Sequence, residues 1–284
     1  MSDGKLMNGE MLKNGGKLFA MGTGPGASDL ITVRAARILG HLDVLYAPAG
    51  RREGDSLALS IVREYLGEQV VIKARHFPMT NDAGEKRQAW EQIAAEITQD
   101  VAAGKQVGFI TLGDSMLFST WVFLLERLAP QVEIEVVPGI TSFAAIAARA
   151  QFPLCMEQQS MAVMSCTASE DVLRRALAEH ECVVLMKVYG RFETIRTLLD
   201  ELGLLSCAIL MANASMDNEI YYPDLSAIHP GDGTGESLPY FSTILVNRRF
   251  AHHRFGHHCL GHQRAEKAND CEQPQPFAPV STDK

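Results

Sequence analysis

The chain of 284 residues contains no apolar run long enough to span a membrane, which argues against an integral membrane protein. Its six cysteines form no C-x-x-C pair, and most of them fall inside predicted strands. This usage suggests reduced, buried thiols in a cytoplasmic protein. The segment 1–16 is polar and glycine-rich, unlike a secretory signal, and we expect a disordered leader there.

Positive charge is also scarce. Lysine and arginine number 26 against 34 aspartates and glutamates, so the formal net charge is −8. An acidic balance of this kind disfavours a nucleic-acid partner, because such a partner requires a basic surface. The hydrophobic content of 46% is that of an ordinary globular protein, and the length suffices for two modest domains.

The glycine-rich stretch near the N-terminus lacks the acidic partner of a dinucleotide site. Gly22, Gly24 and Ala27 fit the pattern G-x-G-x-x-G/A, and they follow a short apolar strand. In a dinucleotide site an acidic residue ends the second strand, about 20 residues on. Here the predicted second strand, 44–48, ends in Ala-Pro-Ala-Gly, and Asp43 precedes it. We therefore predict a ligand-binding loop that does not hold a nicotinamide or flavin.

A helix is predicted directly after this loop. Asp29 is placed as its N-cap, and the helix is expected from Leu30 onward. Strand, glycine turn and capped helix together allow the backbone to approach a ligand closely, because glycine has no Cβ and tolerates positive φ.

Strands and helices then alternate as far as about residue 150. The pattern predicts strands at 69–77, 106–112 and 132–137 and helices at 56–66, 83–103 and 116–128, followed by an alanine-rich helix after Ser142. Repeated β-α units imply a parallel sheet with helices on both faces. Three glycine-containing loops, at 22–26, 113–115 and 138–139, fall at the carboxyl edge, where such sheets bind ligands.

A second α/β segment follows a candidate linker at 152–159. Its predicted strands are 161–167, 182–188, 207–213 and 240–247, its helices 169–180 and 191–202, and 217–239 is expected to be a long connection. We therefore divide the chain into an N-terminal α/β domain at 17–152 and a C-terminal α/β domain at 160–250.

The remainder, 251–284, is predicted to be a disordered, histidine-rich tail. Five histidines and Cys259 fall within eleven residues, and polar, proline-containing sequence follows. Imidazole and thiolate are common metal ligands, but the spacing matches no closed zinc site, so no metal is assigned. If the tail is only an appendage, its deletion should leave the activity intact.

Three motifs, in this order and at this spacing, resemble the tetrapyrrole (corrin/porphyrin) methylases, which use S-adenosylmethionine. They are Gly22-Thr-Gly-Pro-Gly26, Leu112-Gly-Asp114 and Val137-Pro-Gly-Ile-Thr141. The resemblance covers about 16–249. Finer features resemble the subgroup of precorrin-2 or cobalt-factor II C20-methyltransferases of cobalamin synthesis, among them Phe77-Pro-Met-Thr80, Leu117-Phe-Ser-Thr120, Met186-Lys-Val-Tyr-Gly190 and Pro239-Tyr-Phe-Ser-Thr-Ile244.

The resemblance implies two α/β domains with a ligand cleft between them, a homodimer, and S-adenosylmethionine folded in the cleft. The residues that it assigns to the cofactor are Pro25, Leu112, Gly113, Asp114, Leu117, Thr141, Ser142, Lys187, Ala214, Ser242 and Thr243. The chain departs from the family at two of the relevant positions. Ser115 stands where a proline is frequent, and Ala214 stands where the family has glycine.

A methyl group on a sulfonium is already activated, so its transfer requires placement more than a protein nucleophile. Holding two reactants in register supplies roughly 7–11 kcal/mol of barrier reduction. The chain accordingly has no evident Ser-His-Asp or Cys-His set. A base that removes a proton from the product carbon has three candidates, His76, Asp114 and Tyr240. For Asp114 a turn or helix cap is an equally good interpretation.

A tetrapyrrole substrate carries many carboxylates, so an acidic protein must concentrate basic side chains in its cleft. Arg51 and Arg52 follow the second strand, and Arg75 and His76 lie near the end of the third. These four residues are the substrate-binding candidates, with solvated surface charge as the alternative.

Other functions stay open at this point. The same scaffold serves methylases of uroporphyrinogen III, of ribosomal RNA and of diphthine, and the acidic balance disfavours the RNA version. A non-catalytic S-adenosylmethionine sensor is a rival of another class, which turnover would exclude. Metal delivery through the tail could accompany methylation. Whether the macrocycle carries cobalt is not encoded in any motif, and overall likeness favours cobalt-factor II over precorrin-2.

Overall fold

The computed structural model describes residues 15–49, 56–77, 82–229 and 233–250. The predicted tail at 251–284, most of the predicted leader, and Arg51 and Arg52 lie outside the described residues. Within the described ranges, no helix has the length and apolar character needed to cross a bilayer.

The first sheet is parallel throughout, as predicted. Its strands stand in the order β3-β2-β4-β1-β5. They are β1 (Lys17–Gly22), β2 (Val44–Ala49), β3 (Val71–His76), β4 (Gln106–Thr111) and β5 (Ile134–Val137). Five helices accompany them: α1 (Val33–Leu39), α2 (Leu57–Val62), α3 (Ala83–Ala102), α4 (Trp121–Leu128) and α5 (Ser142–Ala150).

Two apolar clusters cover the two faces of this sheet. On one face α3 and α4 pack Ile97 and Trp121 against Phe109 of β4. On the other face α1 and α2 pack Leu39 and Val62 against the sheet. Because both faces are covered, the inner strands are almost continuously apolar, as the sequence pattern indicated.

The second sheet is mixed, with the order β6-β7-β10-β8-β9. Its strands are β6 (Met161–Ser165), β7 (Cys182–Met186), β8 (Ala208–Ala212), β9 (Ile220–Tyr222) and β10 (Ser242–Asn247). The last strand, β10, lies antiparallel between β7 and β8. Helices α6 (Glu170–Glu179) and α7 (Phe192–Glu201) cover one face, and a short α8 (Thr234–Ser237) precedes β10. The predicted connection at 217–239 thus contains β9 and α8, which the sequence analysis missed.

The helix α5 belongs to the core of the second sheet although it follows β5 of the first. Its residues Ile146 and Ala150 share an apolar cluster with Val184, Ile209 and Leu245. The chain therefore crosses between the sheets before residue 152. The predicted division into an N-terminal domain at 17–152 and a C-terminal domain at 160–250 therefore describes segments of the chain, and it stays a prediction.

Two helix starts differ from the prediction. Residues Ser28–Leu30 form a 3₁₀ turn, and α1 begins at Val33 because the Thr32 hydroxyl accepts a hydrogen bond from Ala35 N at 3.3 Å. The helix expected from Met116 begins only at Trp121, since Phe118 has a left-handed backbone that no helix accommodates. The predicted start of α2 is correct, because Ser56 caps it.

The four described cysteines are free, and they are less uniform than predicted. Cys166 and Cys182 are buried, whereas Cys155 is exposed, and only Cys182 lies within a strand. Burial raises the pKa of the Cys166 thiol to about 12, so this thiol stays protonated and unreactive near neutral pH.

A buried carboxylate ties α3 to the sheet. Asp100 Oδ2 accepts hydrogen bonds from Tyr46 Oη at 2.7 Å and Lys73 Nζ at 2.6 Å, and Oδ1 accepts one from Lys105 Nζ at 2.9 Å. Burial opposes the ionisation of this carboxyl, but the three donors outweigh it and lower the pKa of Asp100 to about 2.

We expect Asp100→Asn to lower the free energy of unfolding by about 2 kcal/mol at pH 7. Because the pKa of Asp100 is depressed in the folded state, its contribution is complete above the unfolded value. It is lost as the pH falls from about 4 to about 2. Urea denaturation at a series of pH values should therefore show the two proteins converging toward acid.

The matched control is Glu133→Gln, which removes the exposed partner of Lys17, 2.9 Å away. We expect its effect to stay below about 1 kcal/mol. A pH-independent difference between wild type and Asp100→Asn would contradict the assignment.

Candidate functional site

Three loops meet at the carboxyl edge of the first sheet through glycine backbone. Gly113 N donates a hydrogen bond to Gly24 O at 2.7 Å, and Gly24 N donates one to Gly113 O at 3.2 Å. A Cβ on Gly22 would lie 2.7 Å from Gly139 Cα, and one on Gly139 would collide with Gly113 O. The loops after β1, β4 and β5 thus contact one another directly, so these glycines permit loop-to-loop packing.

Asp114 joins two of these loops. Its Oδ1 accepts a hydrogen bond from Met116 N at 2.9 Å, and its Oδ2 accepts one from Gly139 N at 2.9 Å. Both carboxylate oxygens are therefore occupied by backbone amides. This geometry favours the interpretation of Asp114 as a turn-forming residue over that of a general base. Leu112, Gly113 and Leu117 beside it are half-buried.

The loop after β5 leads into α5 through Thr141 and Ser142. Thr141 is the N-cap residue, yet its side chain makes no capping hydrogen bond, and Ser142 opens the helix. Both residues are half-buried. Both residues follow β5, so they lie at the same edge of the sheet as the other two loops.

The first loop also contacts the loop after β8. Ala27 N donates a hydrogen bond to Ser215 Oγ at 3.0 Å, and a Cβ on Gly26 would lie 2.6 Å from Met216 Cγ and 2.8 Å from Ala214 O. Pro25, next to Gly26, and Ala214 are both buried. Of the residues predicted for the cofactor, this contact brings together the loops that carry Pro25 and Ala214.

Glu219 fixes the loop after β8 in place. It accepts a hydrogen bond from Ser215 N at 2.6 Å and pairs with Arg149 of α5, whose Nε lies 2.6 Å from Glu219 Oε2.

A second contact joins the loop after β4 to the loop after β7. The Lys187 ammonium lies 5.6 Å from the centroid of the Phe118 ring, within the range of a cation–π interaction. Ser242 and Thr243 open β10, between the ends of β7 and β8, and both are buried. The Ser242 hydroxyl donates to Pro239 O at 2.5 Å and is already engaged by the protein.

Left-handed backbone is concentrated in these loops. Of the six described non-glycine residues with positive φ, four lie here: Phe118, Lys187, Asn213 and Ser215. Such a conformation is unfavourable for side chains like Phe and Lys, and it clusters at functional sites. The sequence analysis did not include Phe118, Asn213 and Ser215 among the site residues. Their left-handed backbone could not be predicted, because residue types such as Phe and Ser give no signal for it.

A cavity of about 750 Å³ opens where the first loop, α2 and the loop after β8 meet. This volume lies in the range of small-molecule sites. Its lining includes Gly26, Ser60, Ser215, Asp217 and Phe241. Neither Ser60 nor Phe241 was predicted, since each is distant in sequence from the glycine loops.

The substrate candidates within the described residues are differently placed. Arg75 Nε and Nη2 donate to Glu96 Oε2 of α3 at 2.9 and 2.7 Å, and Nη1 donates to Ala74 O at 2.9 Å. Its guanidinium is thus committed to α3, which weakens the prediction that Arg75 lines the cleft. His76 ends β3, half-buried, and its Nδ1 has no hydrogen-bond partner among the described residues.

Tyr240 is exposed beside β10, with its ring 5.1 Å from that of Phe241. The three catalytic candidates are not joined by any described contact. β2 separates β3, which carries His76, from β4, which precedes Asp114.

Comparison with known proteins matches this arrangement to one family. The sequence profile of the Tetrapyrrole (Corrin/Porphyrin) Methylases matches residues 17–227. The chain belongs to this family. It is 59% identical over 237 residues to the cobalt-precorrin-2 C(20)-methyltransferase of Salmonella typhimurium, an alignment that covers 84% of the chain and 98% of that protein. It is 32% identical to the precorrin-2 C(20)-methyltransferase of a Sinorhizobium species, with 81% and 95% covered.

Solved structures of the tetrapyrrole methylases share the fold. A cobalt precorrin-4 methyltransferase superimposes with a TM-score of 0.64 at 22% identity, covering 81% of the chain and 94% of that protein. The uroporphyrin-III C-methyltransferase of Thermus thermophilus, complexed with S-adenosyl homocysteine, gives 0.57 at 23% identity, with 81% and 97% covered. The chain, with its two α/β sheets, thus has the same fold as these methyltransferases.

Gly139→Ala should lower the free energy of unfolding by about 3 kcal/mol, because the new Cβ collides with backbone that cannot rotate away. Chemical denaturation measures the change. Gly84→Ala in the first turn of α3 is the control, since a Cβ there meets only Asp82 Oδ1, at 3.1 Å. We expect the control to be neutral or to stabilise by up to about 1 kcal/mol. Equal effects would refute the loop-packing argument.

Asp114→Asn separates the two interpretations of this residue. An amide side chain offers one acceptor oxygen, so it can hold only one of the two backbone N–H groups. We expect the dissociation constant for S-adenosylhomocysteine, measured by calorimetry, to rise about five- to tenfold. Asp224→Asn, at a similar turn where Ser226 N donates to Asp224 Oδ1 at 2.8 Å, should leave it unchanged. Normal affinity with abolished turnover would instead identify Asp114 as a base.

Proposed function

We propose that this chain transfers a methyl group from S-adenosylmethionine to C20 of cobalt-factor II (cobalt-precorrin-2) in cobalamin biosynthesis. The alignment with the Salmonella C20-methyltransferase carries the proposal, because it runs through almost the whole of that protein at high identity. The alternative is the metal-free precorrin-2 reaction, which the Sinorhizobium relative is named for. The two macrocycles present nearly the same periphery to a protein.

The facing loops fit an S-adenosylmethionine site. Left-handed residues on both sides, the Thr141 hydroxyl, which makes no capping hydrogen bond, and the half-buried Leu112 and Leu117 together offer polar and apolar groups at one edge. In this proposal the residues that hold the cofactor are those predicted: Pro25, Leu112, Gly113, Asp114, Leu117, Thr141, Ser142, Lys187, Ala214, Ser242 and Thr243. When bound, the cofactor supplies an activated methyl group.

The protein's contribution is then mainly positioning. Asp114 holds the loops after β4 and β5 together through backbone amides, and Glu219 and Ser215 hold the loop after β8 against the first loop. Fixed loops keep two bound reactants in register, which is where most of the rate enhancement of such a transfer arises. For a proton acceptor, His76 is favoured over Asp114 because its Nδ1 has no described hydrogen-bond partner.

We also propose a cytoplasmic homodimer that has no nucleic-acid or membrane partner. The acidic net charge disfavours a nucleic-acid partner. Arg51, Arg52, Arg75 and His76 stay candidates for the substrate carboxylates, with Arg75 weakened by its pairing with Glu96. A methylase of the same fold with another substrate, or a sensor that binds the cofactor without turnover, is excluded only by assay.

The decisive experiment supplies the protein with S-adenosylmethionine labelled with ¹³C in its methyl group and with either cobalt-factor II or precorrin-2, under anaerobic conditions. We expect one new methyl resonance, assigned by NMR to C20, and faster turnover with the cobalt-bound macrocycle. Heat-inactivated protein is the control. A methyl at another carbon, or no transfer to either macrocycle, would refute the proposal.

A further inference from the structure

Four aromatic side chains at the edge shared by the two sheets are unusually exposed. Phe118, Tyr189, Tyr240 and Phe241 have 44%, 52%, 50% and 40% of their surface accessible. Large apolar side chains exposed together, rather than scattered, mark a binding surface. We call these four residues the aromatic patch.

The members of the patch are contiguous across the two sheets. The rings of Tyr189 and Tyr240 are 6.1 Å apart, and those of Tyr240 and Phe241 are 5.1 Å apart. Lys187, two residues before Tyr189, places its ammonium over Phe118 and so links the loop after β4 to the other three. Phe118 holds its position although this requires an unfavourable left-handed backbone conformation.

The patch adjoins the residues assigned to the cofactor. Phe118 follows Leu117, and Phe241 precedes Ser242. A molecule lying on the patch would therefore be next to the proposed methyl donor. The patch also carries positive charge, since Lys187 is exposed and makes no ion pair with any carboxylate of the described residues.

We propose that the aromatic patch stacks against the conjugated macrocycle of the tetrapyrrole substrate and that the Lys187 ammonium pairs with one peripheral carboxylate. This inference rests on the proposed function and assigns the substrate side of the same site. Flat conjugated rings stack favourably on aromatic side chains, and an ammonium complements a carboxylate. Both features of the ligand are matched by adjacent groups of the patch. Tyr240 becomes a positioning residue in this arrangement, and its hydroxyl is not required.

The test is an anaerobic absorbance titration with cobalt-factor II, accompanied by steady-state kinetics. We expect Tyr189→Ala and Tyr240→Leu each to raise the dissociation constant and the KM for the macrocycle about tenfold, with kcat within about twofold of wild type. Tyr240→Phe keeps the ring and removes only the hydroxyl, so its dissociation constant for the macrocycle should stay within about twofold of the wild-type value. Lys187→Met should weaken macrocycle binding and reduce its dependence on salt.

Phe123→Ala is the matched control. Phe123 is 42% exposed, but it lies on α4 and stacks on Trp90 with ring centroids 4.5 Å apart. We expect no change in macrocycle binding. Calorimetry with S-adenosylhomocysteine checks that the Tyr189 and Tyr240 variants are folded, since their affinity for it should be normal.

Three outcomes would overturn the inference. Unchanged macrocycle affinity in Tyr189→Ala and Tyr240→Leu would show that the patch does not bind it. A loss of macrocycle affinity in Tyr240→Phe as large as that in Tyr240→Leu would make the hydroxyl, and not the ring, the important group. A change in sedimentation with unchanged macrocycle affinity would identify the patch as an interface between two copies. Failure of the wild type to methylate the macrocycle would refute the proposed function, while the titration would still test the patch.

Discussion

The candidate site depends on the close approach of three loops at one edge of the parallel sheet. The strands β4, β1 and β5 are neighbours, so the turns that follow them must occupy the same small volume. Backbone can pack against backbone there only where no Cβ intervenes, which explains Gly22 and Gly139, whereas Gly113 is explained by its positive φ of 72°. The Asp114 carboxylate completes the contact by accepting N–H groups from two of the loops. Loops held in this way present a defined surface to the second sheet.

This packing gives the glycines of the three loops an explanation other than ligand binding. Their spacing suggests a backbone that approaches a ligand, but much of the space next to them is filled by the other loops and, at Gly26, by Met216. Four non-glycine residues of the surrounding loops, Phe118, Lys187, Asn213 and Ser215, are held by tertiary contacts in an unfavourable left-handed conformation. Loop packing therefore accounts for much of the glycine pattern of these motifs.

Several basic side chains likewise serve the packing of the fold. Arg75, Lys73 and Lys105 all bind carboxylates of α3, so they stabilise the fold and are not free for an anionic substrate. The exposed Lys187, which rests on an aromatic ring, gains importance for that reason.

The sequence by itself determined the parallel first sheet, most helices and strands to within a few residues, the position of the three loops and the family. These features follow from apolar periodicity, capping residues and short motifs, all of which are local. Tertiary structure alone decided that α5 packs on the second sheet, that β10 lies between β7 and β8, and that Asp114 binds backbone amides. Each of these depends on residues far apart in the chain, and long-range pairing leaves no periodic signal in either partner.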